Sequence, residues 1–564
     1  MEMLMKTQKI ALIMAGGVSL GSYEAGVLTE LLYALETLNQ TAEAEGRPRY
    51  ELDIMTGGSA GGMTAALTAR IMMYDLAGRR GHLYKAWVED IDIVKLLGDN
   101  DSSENALFSK NVVRQIVQQY VVGETDQSPI KPASFSPETL HISLSLSNMH
   151  GIDYQIPYFV SNSREEQSFM TTTFSEMAYF PIKKNQLPSQ EEWVTIGETA
   201  VATGNFPIAF KPQLLFRKGT DYADSEQEYD VKLLSAGLCF IDGGLFNNEP
   251  LGEAVRLARE ADGGNVESDR LFILIDPSIN SSLHQTNISP EGSLLGHVKR
   301  ILTMVMGESH AHDWLKAHRK NTEIEWRDQF ARMLGHFIEH ESFESNSRHF
   351  HELKNLAETI VAQKRSLKGE QVYPEDYLVE SLDRTFQQAP FKEIDRRLAT
   401  AEQADIKREL FRYLAFVLNN VAGLQKKASI NLALIGADKN KLAGEQLNSF
   451  GGFFNEQWRI YDYRIGRETA HALLPKILGL QRAYPKETDA TGQSHKDYHI
   501  RQDWRERFPT VTLKDVDRRL MKALRHRILD RSNSVMRDFG IPCIFRWLLK
   551  QFVIRKKLNT LLKL

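Results

Sequence analysis

The chain has 564 residues, too many for one ordinary core, so its length predicts a main domain with appended material. Charged residues at 25% and apolar ones at 42% are the values of a soluble globular protein, and a net charge of −4 with no RNA or DNA motif argues against a nucleic-acid partner. Two cysteines, Cys239 and Cys543, exclude a disulfide framework and fit a reducing compartment, so a cytoplasmic location is expected.

The run Ile10 to Met14 ends at Gly16-Gly17. Its basic and apolar start superficially resembles a signal peptide. It reads better as a buried strand, because it is short and feeds directly into a glycine turn. A helix carrying Tyr23, Val27, Leu28, Leu31 and Leu32 follows. Leu52 to Met55 predicts a second strand ending at glycine, and Gly62 to Tyr74 a helix. Further strands are expected at Leu140 to Leu146, Trp193 to Ile196, Leu238 to Ile241 and Leu271 to Ile275. Strands separated by helices predict an α/β fold with a mostly parallel sheet covered on both faces, and sites in such sheets lie at the carboxyl ends of strands.

From about Leu294 to Leu424 the chain becomes charged and helix-forming, as in Phe391 to Leu398 and Ile406 to Leu418, before a β-like run at Ile430 to Gly436. Polar loops are expected at 218–229, 280–292 and 485–497. The expected organisation is an α/β domain over 8–277, a helical insertion or extension over 294–424, and an α/β-to-helical region over 428–564. No stretch approaches the roughly 20 apolar residues needed to cross a bilayer, so a soluble or peripherally bound protein is expected.

Gly57-Gly58-Ser59-Ala60-Gly61 has the form Gly-x-Ser-x-Gly. On a tight strand-to-helix turn such a serine is lifted above the sheet edge as a nucleophile, and small neighbours such as Gly57 and Gly61 permit the turn. By itself the pentapeptide also fits a plain turn. About forty residues upstream, the turn from Gly16 to Gly21 precedes a helix and presents backbone N–H groups to an anion. A third motif, Cys239-Phe240-Ile241-Asp242-Gly243-Gly244, delivers a carboxylate at the end of an apolar strand. The bland alternative is a turn residue, since Asp-Gly is a common turn dipeptide.

In content and order, the glycine turn with Tyr23-Glu24-Ala25-Gly26-Val27-Leu28, the Gly-x-Ser-x-Gly and the Asp-Gly-Gly resemble the patatin-like phospholipase family. Ala202 to Pro212 looks like the stretch that precedes the family's Asp motif, so the resemblance covers roughly residues 8 to 277. Phe450 to Phe454, Trp458-Arg459, Asp462-Tyr463 and Gly466-Arg467 are similar to a segment of larger bacterial patatin-like proteins. The resemblance implies a patatin-like sheet with a largely helical extension, lipid acyl hydrolysis, a lipid or acyl-ester substrate, and a Ser–Asp dyad without histidine, metal or organic cofactor. Carried over, Ser59 is the nucleophile and Asp242 the proton acceptor, with Gly243 and Gly244 completing the Asp motif. An aspartate is a feeble base at its ordinary pKa near 3.9, so desolvation is expected to raise it. Gly16, Gly17, Val18 and Gly21 form the oxyanion loop, with the N–H groups of Gly17 and Val18, and that of Ala60, as candidate donors. Val18 stands where the family usually has glycine, which keeps the donor but makes a positive φ costly. Leu20 stands where the family usually has a basic residue, removing a charge that would attract an anionic head group.

Other chemistries compete. A Ser–His–Asp esterase would use His297 or His310 after Asp242. His336-Phe337-Ile338-Glu339-His340 matches a zinc-peptidase pattern but has no persuasive third ligand, and two histidines on a solvated helix face explain it as well. His310 and His312 would point apart on a helix. Gly16 to Gly21 lacks the Lys-Ser/Thr of a P-loop. A membrane-binding scaffold on a degenerate hydrolase fold is the non-enzymatic alternative.

After Asp538 no acidic residue occurs, while Arg546, Lys550, Arg555, Lys556, Lys557 and Lys563 do. Phe545, Leu548, Leu549 and Phe552 share a helical stripe, which describes a basic amphipathic tail able to rest on an anionic lipid surface, or else to dock on the protein's own core.

Overall fold

The computed structural model describes residues 6–98, 106–123, 130–159, 166–218, 236–263, 270–278, 294–342, 348–368, 374, 376–387, 389–424, 429–437, 441–445, 449–488, 493–538 and 541–561. They divide into two compact units.

The first unit, Met1–Leu257, Leu271–Asp313 and Leu432–Leu564, is built on one sheet. Its strands are β1 (Thr7–Met14), β2 (Arg49–Gly57), β3 (Thr139–Phe159), β4 (Glu166–Lys183), β5 (Gln213–Leu215), β6 (Leu238–Asp242), β7 (Leu271–Asp276) and β8 (Asn431–Gly436). The order is β5-β6-β3-β2-β1-β7-β8, with β4 also paired to β3. The centre, β3-β2-β1-β7, is parallel, and β4, β6 and β5 run antiparallel to their neighbours. Central strands are buried almost end to end, as the apolar runs of β1 and β7 require. The start of the chain is therefore a strand at the heart of the fold.

Two helices follow the first two strands: α1 (Gly21–Thr41) and α2 (Ser59–Tyr74). Trp193 to Ile196, expected as a strand, lies instead in α3 (Gln190–Thr203). Ser189 Oγ accepts the Glu192 N–H while the Glu192 carboxylate accepts the Ser189 N–H, and this reciprocal cap starts a helix. Trp193, Ile196 and Ala200 then fall on its buried face, a period that four residues cannot reveal. β4 and the length of β3 were not expected, because serines and threonines dilute their apolar pattern.

The last quarter of the chain also belongs to this unit. β8 extends the sheet beside β7, and α4 (Glu456–Ile477) lies along α1. The helix backbones meet at glycine: a Cβ on Gly26 would lie 2.0 Å from the Tyr463 carbonyl oxygen, and one on Gly466 2.2 Å from that of Tyr23. Beside this crossing the Arg467 guanidinium pairs with buried Glu30 at 2.9 Å, and the Tyr498 and Tyr484 hydroxyls donate to the same carboxylate. Such hydrogen-bonded compensation is what a buried charge requires.

The helical tail covers Cys543–Leu548, Leu549–Ile554 in a wider π-type turn, and Arg555–Leu561. Phe545, Trp547, Leu548 and Leu549 are exposed rather than docked on a core, although Lys550 reaches Asp530 at 3.3 Å. Lys563 and the side chain of Phe552 lie outside the described residues. Among the described residues no helix is long and apolar enough to cross a membrane.

The second unit, Ala258–Arg270 and Trp314–Asn431, is helical around its own core of Ala331, Ile338, Phe391, Ile394, Leu398 and Phe411.

Candidate active site

β2 ends at Gly57, Gly58 is extended, and Ser59 opens α2 with φ at 51°. A non-glycine residue in the left-handed region costs of order 1–3 kcal/mol and persists only where its surroundings enforce it. Here the Ser59 N–H donates to Thr203 Oγ1 at 3.0 Å, and that hydroxyl donates to the Ser145 carbonyl at 2.6 Å. The helix also lies unusually close to the sheet. A Cβ on Gly61 would fall 2.4 Å from the Met14 carbonyl oxygen, and one on Gly57 would fall 2.6 Å from the Gly61 backbone.

Asp242 is the last residue of β6. Its N–H donates to the Asn205 carbonyl at 3.0 Å, and its carbonyl accepts from Ser147 Oγ at 2.7 Å. With the backbone held on both sides, the side chain meets Ser59. The serine hydroxyl donates to Asp242 Oδ2 at 2.6 Å, while Oδ1 accepts the Gly244 N–H at 2.7 Å. Gly243 and Gly244 form the short 3-10 turn that follows the strand. Asp242 is 3% exposed, and burial pushes its carboxyl up to about 7 against the Ser59 and Gly244 hydrogen bonds, which lower it. A carboxylate titrating there is matched to accepting a proton near neutral pH.

The turn from Gly16 to Gly21 faces this pair. Gly16 N–H donates to Asn248, to its backbone carbonyl at 3.3 Å and to Oδ1 at 3.2 Å, while Asn248 Nδ2 donates back to the Gly16 carbonyl at 3.3 Å. Ala15 N–H goes to the Ile275 carbonyl and Ser19 N–H to that of Ser449. Among the described hydrogen bonds, the N–H groups of Gly17, Val18 and Ala60 meet no protein acceptor. Gly16, expected in the donor loop, thus serves to tie it down. Val18 does take the costly conformation, with φ at 54°. Gly21 begins α1 against the Trp87 ring.

What holds the loop comes from far along the chain. Ser19 Oγ donates to the Ser449 carbonyl at 2.5 Å and accepts the Gly452 N–H at 3.0 Å. Buried Asp462 accepts the N–H groups of Ala443 and Gly444 at 2.7 and 2.8 Å, and burial pushes its carboxyl up to about 7. Gly444 in turn packs against Leu20, which occupies a fully buried position. The sequence reading missed Thr203, Asn248, Ser19 and Ser449 as site residues. Asn248 lies six residues past Asp242, just beyond the Asp-Gly-Gly motif, whereas nothing local marks Ser449.

At the rim, Ile208 is 76% exposed with φ at 71°, on the loop whose Asn205 holds Asp242. Phe246, just past the Asp motif, stacks on Phe174, and both are exposed. The Ser59 hydroxyl is given directly to Asp242, and among the described residues no histidine hydrogen-bonds to either; the side chains of His310 and His312 lie outside the described residues. In the second unit His336, Glu339 and His340 place their donor atoms within 4.8 Å, but Glu339 pairs with Arg397 at 2.8 Å.

Residues 12–255 match the family model described as patatin-like phospholipase. This stretch is a patatin-like phospholipase domain. It contains Ser59, Asp242 and the turn from Gly16 to Gly21, and the family it matches is one of lipid acyl hydrolases. β7, β8 and the segment that backs the turn lie beyond the matched span. The chain is also similar to the uncharacterized protein y4iI of Sinorhizobium fredii, 22% identical over 384 residues. That alignment covers 53% of each chain, so this protein spans about half the length of the relative.

Proposed function

We propose that the protein is a serine lipid acyl hydrolase in which Ser59 and Asp242 form a catalytic dyad. The observation that carries the reading is the 2.6 Å hydrogen bond from Ser59 Oγ to the buried Asp242 carboxylate. Ser59 Oγ attacks the carbonyl carbon of an acyl ester and its proton passes to Asp242 Oδ2. The Gly17 and Val18 N–H groups, with that of Ala60 at the start of α2, receive the developing oxyanion. Each such donor is worth roughly 2.7–4 kcal/mol. Collapse expels the alcohol, which takes the proton back from Asp242, and leaves an acyl-serine. Water then attacks the acyl-serine with Asp242 again as base, releasing the fatty acid. The dyad needs neither metal nor cofactor for any of these steps.

Exposed Ile208, Phe246 and Phe174 near the dyad support an apolar substrate, while buried, uncharged Leu20 offers an anionic head group nothing. The exposed apolar residues of the basic tail support contact with an anionic lipid surface, so peripheral membrane association belongs to this reading. The test is digestion of a lipid panel read by mass spectrometry, with Ser59→Ala and Asp242→Asn as controls. Acyl release lost in both variants is the expected result, and full activity in either overturns the dyad.

A further inference from the structure

Glu24, in the first turn of α1, is fully buried directly behind the oxyanion turn. Its Oε1 has no hydrogen-bond partner among the described residues and packs on Gly17, 3.3 Å from where a Cβ would stand. Its Oε2 lies 3.4 Å from Thr64 Oγ1 on α2. That hydroxyl has one proton, and the Ala60 carbonyl, which can only accept, takes it at 2.7 Å. Two oxygens therefore face each other across the Glu24–Thr64 contact, and the contact is satisfied when the carboxyl brings the proton. Asp276, at the end of β7, accepts the Ser278 N–H at 2.7 Å. Among the described residues Asp276 is the one charged group acting on Glu24, and no lysine, arginine or histidine compensates it.

We propose that Glu24 is a neutral carboxylic acid that keeps the floor of the oxyanion turn uncharged, and that its ionisation sets the upper pH limit of the site. This rests on the acyl-hydrolase reading above. Burial first, and Asp276 second, hold its carboxyl well above the usual range. An anion placed there would oppose the oxyanion that Gly17 and Val18 must hold, and the low local dielectric would magnify the repulsion. Glu24 is thus a positioning residue that touches the loop and not the substrate.

The test compares wild type with Glu24→Gln, which keeps shape and neutrality. Hydrolysis by wild type is expected to fall about tenfold per pH unit above the Glu24 ionisation, while Glu24→Gln keeps the neutral-pH rate and loses that limb. A readout independent of hydrolysis is stability. A carboxyl raised in the folded state loses its proton first in the unfolded chain, so wild-type stability falls as pH climbs from the ordinary carboxylate range toward the folded value. The unfolding midpoint of Glu24→Gln must therefore rise relative to wild type as pH increases. A gap that stays constant with pH overturns the inference, even if hydrolysis is normal. Should Glu24→Gln not fold, infrared spectroscopy of wild type decides: a protonated-carboxyl band persisting above the Asp242 and Asp462 titrations supports it, and its absence refutes it. Absence of hydrolysis in wild type, with the stability gap present, would instead condemn the acyl-hydrolase reading and leave the neutral acid standing.

Discussion

The two halves of the candidate site are held in different ways. The nucleophile side is held by parts of the chain that the patatin-like domain itself contains: Ser59 by Thr203 and Ser145, and Asp242 by Asn205 and Ser147. The oxyanion side is held partly by segments beyond that domain. Its turn hangs on Ile275, Ser449 and Gly452, with Asn248 a tie from inside the matched span. Chemistry that needs one proton transfer between two side chains can be built locally. A cradle of backbone N–H groups has no side chain to fix it and must be braced from outside.

Substitutions can separate the two sides. Ser59→Ala removes the nucleophile and should lower ester hydrolysis by on the order of 10⁶-fold with the fold intact. Asp242→Asn should lower it by roughly 10²–10⁴-fold, the range of a lost general base. Asn248→Ala removes both side-chain ties to Gly16, Oδ1 from its N–H and Nδ2 from its carbonyl, and leaves only the backbone carbonyl bond. Initial rates should drop about 10²-fold, mainly in kcat, because the loop would move while the dyad stays paired. A loss confined to KM would show that the loop serves binding and not the transition state.

Smaller effects follow. Since Asp242 must be ionised to accept the proton, kcat/KM should decline about tenfold per pH unit below about 7 and level off above it. Ser19→Ala removes two hydrogen bonds to the distal segment, for a loss of about 1 kcal/mol in a melting curve and about fivefold in rate. Val18→Gly removes the penalty of φ at 54° while keeping the donor. Its unfolding midpoint should rise by the equivalent of about 1 kcal/mol, with little change in rate. If the rate instead collapses, the strained valine is positioning the donors.

How much could be read in the chain follows the same division. Gly57 to Gly61 and Asp242 to Gly244 are local motifs whose geometry is dictated by a strand end, so the paired residues were legible by number. β1 and β7 were legible because buried strands are continuous apolar runs, and β2 and β6 because a short, mostly apolar run ends at a glycine turn. α3 was misread where four residues carry no period, and the β3–β4 ladder was hidden by its hydroxyl side chains. Ser449 was invisible for a different reason. It contributes a carbonyl oxygen, and no residue type announces that.

The distal brace also imposes an order in time. A chain emerging from the ribosome with residues 12–255 complete already contains Ser59 and Asp242, but neither the Ile275 carbonyl that takes Ala15 N–H nor the Ser449–Gly452 segment that grips Ser19. These contacts of Ser19 span more than 400 residues and form only once Ser449 and Gly452 have been made. A chain stopped before Ser449 would therefore carry Ser59 and Asp242 facing an unbraced cradle.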